Sequence, residues 1–130
     1  MTQEIKILVL HNASSIKEED DVKVYYPYSQ DLEIIRTIKK LPYKISSAFY
    51  EEDNIKDLAK DRDLILNLCD AFENPEDEIK VLLEFEKNKI PYTGNSSLTS
   101  INCQDKFVLK NILKLNKIKT PEGQLFKDIN

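Results

Sequence analysis

The chain has 130 residues, a formal net charge of -4 and only two glycines, Gly94 and Gly123, where average usage of about 7% would give roughly nine. Two glycines standing far apart exclude a Walker phosphate loop and a dinucleotide-binding fingerprint, each of which concentrates glycines in one turn. The acidic balance argues against nucleic acid as a partner, and no apolar run approaches the roughly 18 residues of a membrane span.

In chain order, the run Ile5 to Leu10 is almost wholly apolar and reads as a strand buried on both faces, the habit of parallel sheets. Residues 13–22 are polar and acidic and read as a loop, with a short edge strand over Val22 to Tyr26 before Pro27. Leu32, Ile35, Ile38 and Leu41 recur at helical spacing, Ser29 is placed to cap that helix, and Pro42 ends it. Tyr43 to Phe49 alternates as a second strand. Asn54 to Lys60 then reads as a short helix, and Leu64 to Leu68 as another buried strand. Residues 76–88 form a helix expected to bury Ile79, Leu82, Leu83 and Phe85. A short extended piece over Ile90 to Thr93 ends at Gly94, a short helix opens within Asn95 to Ser100, and residues 104–116 make a final helix before an extended tail from Pro121.

Strand and helix alternate, which predicts an α/β fold: a small doubly wound, mainly parallel sheet of about four strands with helices on both faces. Residues 1–103 are expected to form the α/β domain and residues 104–130 a linker helix leading towards a further domain. The charge divides with them. Residues 1–103 carry 13 basic and 20 acidic side chains, whereas residues 104–130 carry 6 and 3. Ligands of such sheets sit beyond the carboxyl ends of the strands. Those ends are His11-Asn12, Phe49 to Asp53, Asp70 to Glu73 and Gly94 to Ser97.

Few residues there point to a known chemistry. His11 is the only histidine, and with Cys69 and Cys103 it makes neither a zinc site nor a catalytic triad. The two cysteines read as reduced thiols of a cytoplasmic protein, in keeping with an N-terminus that has no secretory apolar segment. Cys69 follows a strand, where a small core residue is the plainer reading than a nucleophile. The acidic stretch Asp70, Glu73, Glu76, Asp77 and Glu78 has the carboxylates for a divalent metal, but acidic residues at a helix start also suit the helix dipole.

The segment from Ile90 is richer. Pro91 and Gly94 punctuate a strand-to-loop turn, and Lys106 falls in the first turn of a helix, where backbone N–H groups favour anions. Lys106, Lys110, Lys114 and Lys117 recur at spacings of four, four and three and share one helix face. Such a stripe is either a solvated face or, at its start, a phosphate contact.

The string Ile-Pro-Tyr-Thr-Gly at 90–94, the serine-rich loop after it, Asp105-Lys106, Lys110 four residues on and the closing Ile118-Lys119-Thr120-Pro121 resemble ATP-grasp ligases, and among them the D-alanine–D-alanine ligase group. Asn67-Leu68 and the Leu82-Leu83-Glu84 run, with the His-Asn ending of the first strand, extend the resemblance over nearly the whole chain. The resemblance implies the Rossmann-like domain that precedes the ATP-grasp domain of a carboxylate–amine ligase. Such an enzyme works through an acyl phosphate and serves peptidoglycan precursor synthesis. It implies ATP and magnesium in the parent ligase, none tightly bound to this chain, and a small amino-acid substrate. Lys106 matches the family's phosphate-contacting lysine and Lys110 a second family lysine, while no residue matches the glutamate that receives the substrate's amino group. The family's later subdomains have no counterpart before Asn130. The chain alone is therefore expected to be inactive, with the missing ATP-grasp domain or a second copy, as a homodimer, for a partner. The alternative is a free-standing α/β binding or regulatory module.

Overall fold

A computed structural model describes residues 4–19, 22–70, 72, 74–124 and 126. Its elements are β1 (Lys6–His11), β2 (Ala13–Glu19), β3 (Val22–Pro27), α1 (Ser29–Ile38), β4 (Lys44–Phe49), α2 (Ile55–Leu58), β5 (Leu64–Leu68), α3 (Pro75–Lys87), α4 (Ser97–Gln104) and α5 (Lys106–Leu115). They form two compact units, Met1–Gly94 and Asn95–Asn130.

The first unit is built on β1. This strand pairs in parallel with β4 on one side and β5 on the other, so Leu8 lies opposite both Ser46 and Ile65, and Leu10 opposite both Ala48 and Asn67. A strand hydrogen-bonded on both edges and covered on both faces has no use for polar side chains, which accounts for the unbroken run Ile-Leu-Val-Leu. Leu8 and Leu10 join Ile55, Ile65, Cys69, Val81, Leu82 and Phe85 in one buried cluster, so α2 and α3 close over that face. Val9, which faces the other way, is equally buried, and α1 supplies the buried Ile35. The parallel α/β architecture expected from the alternating pattern is the one that forms.

The sheet has three full strands, and the fourth position holds a single parallel bridge between Ile65 and Tyr92. There the Ile65 N–H donates to the Pro91 carbonyl at 2.9 Å and the Thr93 N–H donates to the Ile65 carbonyl at 3.0 Å. Pro91 has no N–H to extend the ladder, and Gly94, at φ +117°, turns the chain away directly afterwards.

Residues 13–19, expected to be a loop, form β2 and pair antiparallel with β3 in a two-stranded hairpin. Polarity misled because six of its seven residues are exposed, and a ribbon facing water on both sides needs no apolar alternation. Ser29 does not cap α1. It is the first helical residue, Tyr28 stands at the cap without a side-chain bond, and the Tyr28 carbonyl accepts the Leu32 N–H. In α3, Leu83 is 47% exposed while Val81 is fully buried, the reverse of the expectation for Leu83. At about 100° per residue, Val81, Phe85, Leu82 and Ile79 fall on one arc, and Leu83 lies beyond its edge.

In the second unit Gln104 still belongs to α4, so the final helix begins at Lys106 rather than at residue 104. The Ser96 hydroxyl accepts the Thr99 N–H at 3.2 Å and starts α4. Asp105 Oδ1 accepts the N–H groups of Phe107 and Val108 at 2.9 and 3.0 Å and starts α5. Both are side-chain caps of the preferred kind. No described helix is long and apolar enough to cross a membrane.

Phe85 is completely buried against β1 and β5, so Phe85→Ala is expected to cost about 3–5 kcal/mol in chemical denaturation. Leu83→Ala should cost less than about 1 kcal/mol in the same measurement, because that side chain is half in water already.

Candidate functional site

The apolar run of β1 carries its last residue, His11, and the following Asn12 into buried positions at the carboxyl end of the sheet. His11 Nδ1 lies 3.3 Å from the Asn12 carbonyl oxygen and 4.0 Å from Asp31 Oδ2 in the first turn of α1. Its ring packs 4.5 Å from that of Phe49 at the end of β4. Burial raises the Asp31 carboxyl above its ordinary value; the His11 field opposes that rise and the Asp70 charge adds to it.

The hairpin is tied to the same place. Tyr25 of β3 stacks on Phe49 at 5.2 Å, and its hydroxyl donates to the Glu51 carboxylate, a bond that raises the phenol's pKa. Behind it Tyr50 meets Phe72 edge-on at 5.7 Å, and the Tyr50 phenol is pushed up to about 12, chiefly by burial. Between these groups lies a cleft of about 300 Å³ lined by Asn12, Ile16, Tyr25, Tyr50, Phe72, Asn74 and Asp77. Asn12 is only 7% exposed, and its Oδ1 is buried without a hydrogen-bond donor. Asn12 and these rings line the cleft at the carboxyl end of a parallel sheet, where such folds gather their ligands.

A larger groove of about 400 Å³ runs between α2 and α3, with Tyr50, Ile55 and Leu83 among lysines and carboxylates. Lys80 is tied to Asp77 at 2.6 Å and Lys87 to Glu84 at 3.2 Å, and none of its lining residues holds an orphaned polar atom. The smaller cleft is therefore the better candidate.

Cys69 is part of the core cluster, and burial, followed by the fields of Asp31 and Asp70, pushes its thiol far up. A thiol held protonated is no nucleophile. In the acidic stretch, Glu76, Asp77 and Glu78 occupy the first turn of α3, where they complement the helix dipole. Glu73 lies outside the described residues. Among those described, no group of three or more histidine, cysteine or acidic side chains is placed to hold a metal.

The two sequence-predicted lysines are both on α5, in different circumstances. Lys106 is exposed at the first helical residue, and its ammonium makes no hydrogen bond or ion pair among the described residues. The N–H groups of Phe107 and Val108 are not free to meet an anion as the sequence suggested, because the Asp105 carboxylate already accepts both. A phosphate here would meet the Lys106 ammonium without the help of those two N–H groups. Lys110 Nζ donates to the Pro121 and Glu122 carbonyls at 2.7 and 3.3 Å, and Lys114 Nζ pairs with Glu122 Oε2 at 3.4 Å.

No protein-family model and no curated protein matches the chain. Solved structures do. A D-alanine–D-alanine ligase from Bacillus anthracis matches at 27% identity and a TM-score of 0.63, over 92% of this chain and 37% of that one. A structure of D-alanine–D-alanine ligase from the same organism complexed with ATP matches at 26% identity and a TM-score of 0.65, over 97% of this chain and 43% of that one. The chain resembles the N-terminal part of a D-alanine–D-alanine ligase. It spans less than half the length of the solved ligases it matches. Within the ligase-like chain, the Ile-Pro-Tyr-Thr-Gly string is the segment that makes the parallel bridge to Ile65 and ends at the boundary of the first unit.

Asn12, Tyr25, Asp31 and Tyr50 were not singled out from the sequence as site residues. Asn12 and Tyr50 left a signal, since both fall in strand ends named from the sequence; Tyr25 and Asp31 come from the hairpin and α1, whose packing no local pattern announces.

Two measurements check this description. Iodoacetamide at pH 8 should modify exposed Cys103 and leave Cys69 intact until the protein unfolds, as read by peptide mass spectrometry. Asp105→Ala removes the cap of α5 and should weaken that helix by about 1 kcal/mol, seen as faster amide exchange over Lys106–Leu115.

Proposed function

We propose that the chain is the substrate-side, N-terminal part of an ATP-dependent carboxylate–amine ligase of the D-alanine–D-alanine ligase kind. The observation that carries this reading is the structural likeness over 92–97% of the chain. When bound, ATP supplies the phosphoryl group that turns a carboxylate into an acyl phosphate open to attack by an amine. This chain's part is to hold a small amino-acid substrate beyond the carboxyl ends of β1, β4 and β5 and to lend one cation to the phosphates.

Lys106 fits that second task. It is exposed, unpaired among the described residues and set at a helix start, and a fixed ammonium lowers the energy of charge developing on a transferring phosphoryl group. Lys110 is the second candidate, and it would have to share its ammonium with the two tail carbonyls it now serves. The magnesium that the resemblance implies is assigned, with ATP, to the remaining part of the ligase. That part, carrying the ATP-grasp domain, is the partner we assign to the chain. The setting is cytoplasmic, in the synthesis of peptidoglycan precursors.

A second copy is the competing partner. Phe107, Val108 and Leu115 of α5 are exposed, and the helix contributes no buried side chain, an arrangement that leaves an apolar surface open. A clean monomer by light scattering at high concentration would remove the homodimer.

Joined to its ATP-grasp portion, the protein should release ADP in the presence of a carboxylate and an amine, and the 130-residue chain alone should release none. Lys106→Ala should raise the KM for ATP by roughly tenfold or more, or abolish turnover, in line with the loss of one charged contact. Unchanged kinetics would make the lysine stripe a solvated face only.

A further inference from the structure

We propose that Lys110 is a positioning residue: its ammonium clamps the chain leaving α5 back along that helix, fixing the direction in which the chain departs towards the next domain, and it does not serve phosphate. The inference rests on the ligase reading and decides between the two tasks open to this lysine.

Three observations within the second unit carry it. The first is the end of α5. Lys117, at φ +58°, stands in the left-handed region; its N–H donates to the Lys114 carbonyl at 3.0 Å and the Ile118 N–H donates to the Leu113 carbonyl at 2.9 Å. Those two bonds close a helix and turn the chain out of its path. The tail therefore comes back beside α5 and meets a lysine more than one turn inside the helix. The second is the use made of that lysine. Lys110 Nζ gives hydrogens to the Pro121 carbonyl at 2.7 Å and the Glu122 carbonyl at 3.3 Å, which occupies two of the three donors of an ammonium. Lys114 Nζ holds the Glu122 carboxylate at 3.4 Å from the next turn. Of the four lysines in the stripe, Lys110 alone is half-buried; Lys106, Lys114 and Lys117 are exposed. The third is Gly123. A Cβ at that position would stand 2.9 Å from Lys110 Nζ and 3.3 Å from its Cε, so the chain passes the ammonium with a residue that leaves it room. Phosphate oxygens would have to take the same hydrogens from two carbonyls, whereas the exposed Lys106 has no such claim on it. Orientation of reacting groups lowers a barrier without tightening ground-state binding, so a clamp on the exit chain acts on turnover and leaves nucleotide affinity alone.

Two variants approach the clamp from its two sides. Lys110→Met keeps the length of the side chain and removes its donors, and Gly123→Ala displaces the same ammonium without adding or removing a charge. In the 130-residue chain, nitrogen-15 relaxation should give Glu122 and Gly123 order parameters of about 0.8, falling below about 0.6 in both variants while α5 stays ordered. Inorganic tripolyphosphate up to about 10 mM should leave the order of the parent's tail unchanged. In the protein joined to its ATP-grasp portion, both variants should lower kcat by about tenfold and change the KM for ATP by less than about twofold. A phosphate-binding Lys110 could not give the same result, because Gly123 offers ATP no charge. The proposal is overturned if the parent's tail is as mobile as that of Lys110→Met, if tripolyphosphate frees it, or if kcat is unchanged in both variants. It is equally overturned if Lys110→Met raises the KM for ATP about tenfold while Gly123→Ala is silent. The relaxation data contain no nucleotide and separate the two readings. A mobile tail beside normal ADP release refutes the clamp alone, and a clamped tail in a protein that releases no ADP refutes the ligase reading alone.

Discussion

The first unit depends on one strand having a neighbour on each edge. Because β1 pairs in parallel with both β4 and β5, the backbone groups along its middle are met by the sheet, with the Lys6 N–H donating to Asp63 Oδ2 at its start, and its central side chains are free to be wholly apolar. The buried cluster under α2 and α3 exists because Leu8 and Leu10 offer that face, and Val9 gives the opposite face a floor of its own. The same arrangement delivers His11 and Asn12 to the one end of the sheet where a parallel fold gathers its loops. A polar residue is driven into a buried position there because the strand leading to it is so strongly fixed, and the fold tolerates the misfit of Asn12 Oδ1 at that point. Structure and site therefore have a common origin in six residues.

How much of this was legible follows from what each element needs. β1, β5 and α3 were readable because burial imposes a composition on them, and their apolar periods are visible in isolation. β2 was not readable. An exposed ribbon is held by backbone bonds to β3, and those bonds leave no mark on side-chain choice. The exposed face of Leu83 was a failure of resolution within a correct helix, since leucine sits at an arc's edge as readily as at its centre. The fourth strand shrank to one bridge for reasons that were on view, Pro91 and Gly94, but a turn signal does not say how many ladder bonds survive before it.

For the candidate site, the legible part was the location and the illegible part its contents. Strand ends named the neighbourhood, and the Asp105-Lys106 pair was conspicuous. What Lys106 faces was not, because the cap that takes up the N–H groups of Phe107 and Val108 is a property of Asp105, which reads in sequence as half of a motif rather than as a competitor for the same donors. The aromatic cleft was beyond reach for a different reason. It sets the hairpin against the ends of β1 and β4 and the loop before α3, and the hairpin's place there is decided by tertiary packing alone.

The hairpin also sets how the first unit comes apart. A two-stranded ribbon without a third strand is marginally stable in water. Among the described residues β2 and β3 have no other strand beside them, and the contacts that tie them to the rest of the unit include the Tyr25 ring on Phe49 and the Tyr25 hydroxyl on Glu51. The first unit thus runs from a strand paired on both edges to a ribbon tied down in part by one tyrosine. Because the ribbon and the core beneath it are held by different interactions, loss of the Tyr25 contacts and loss of the β1 core carry separate free energies.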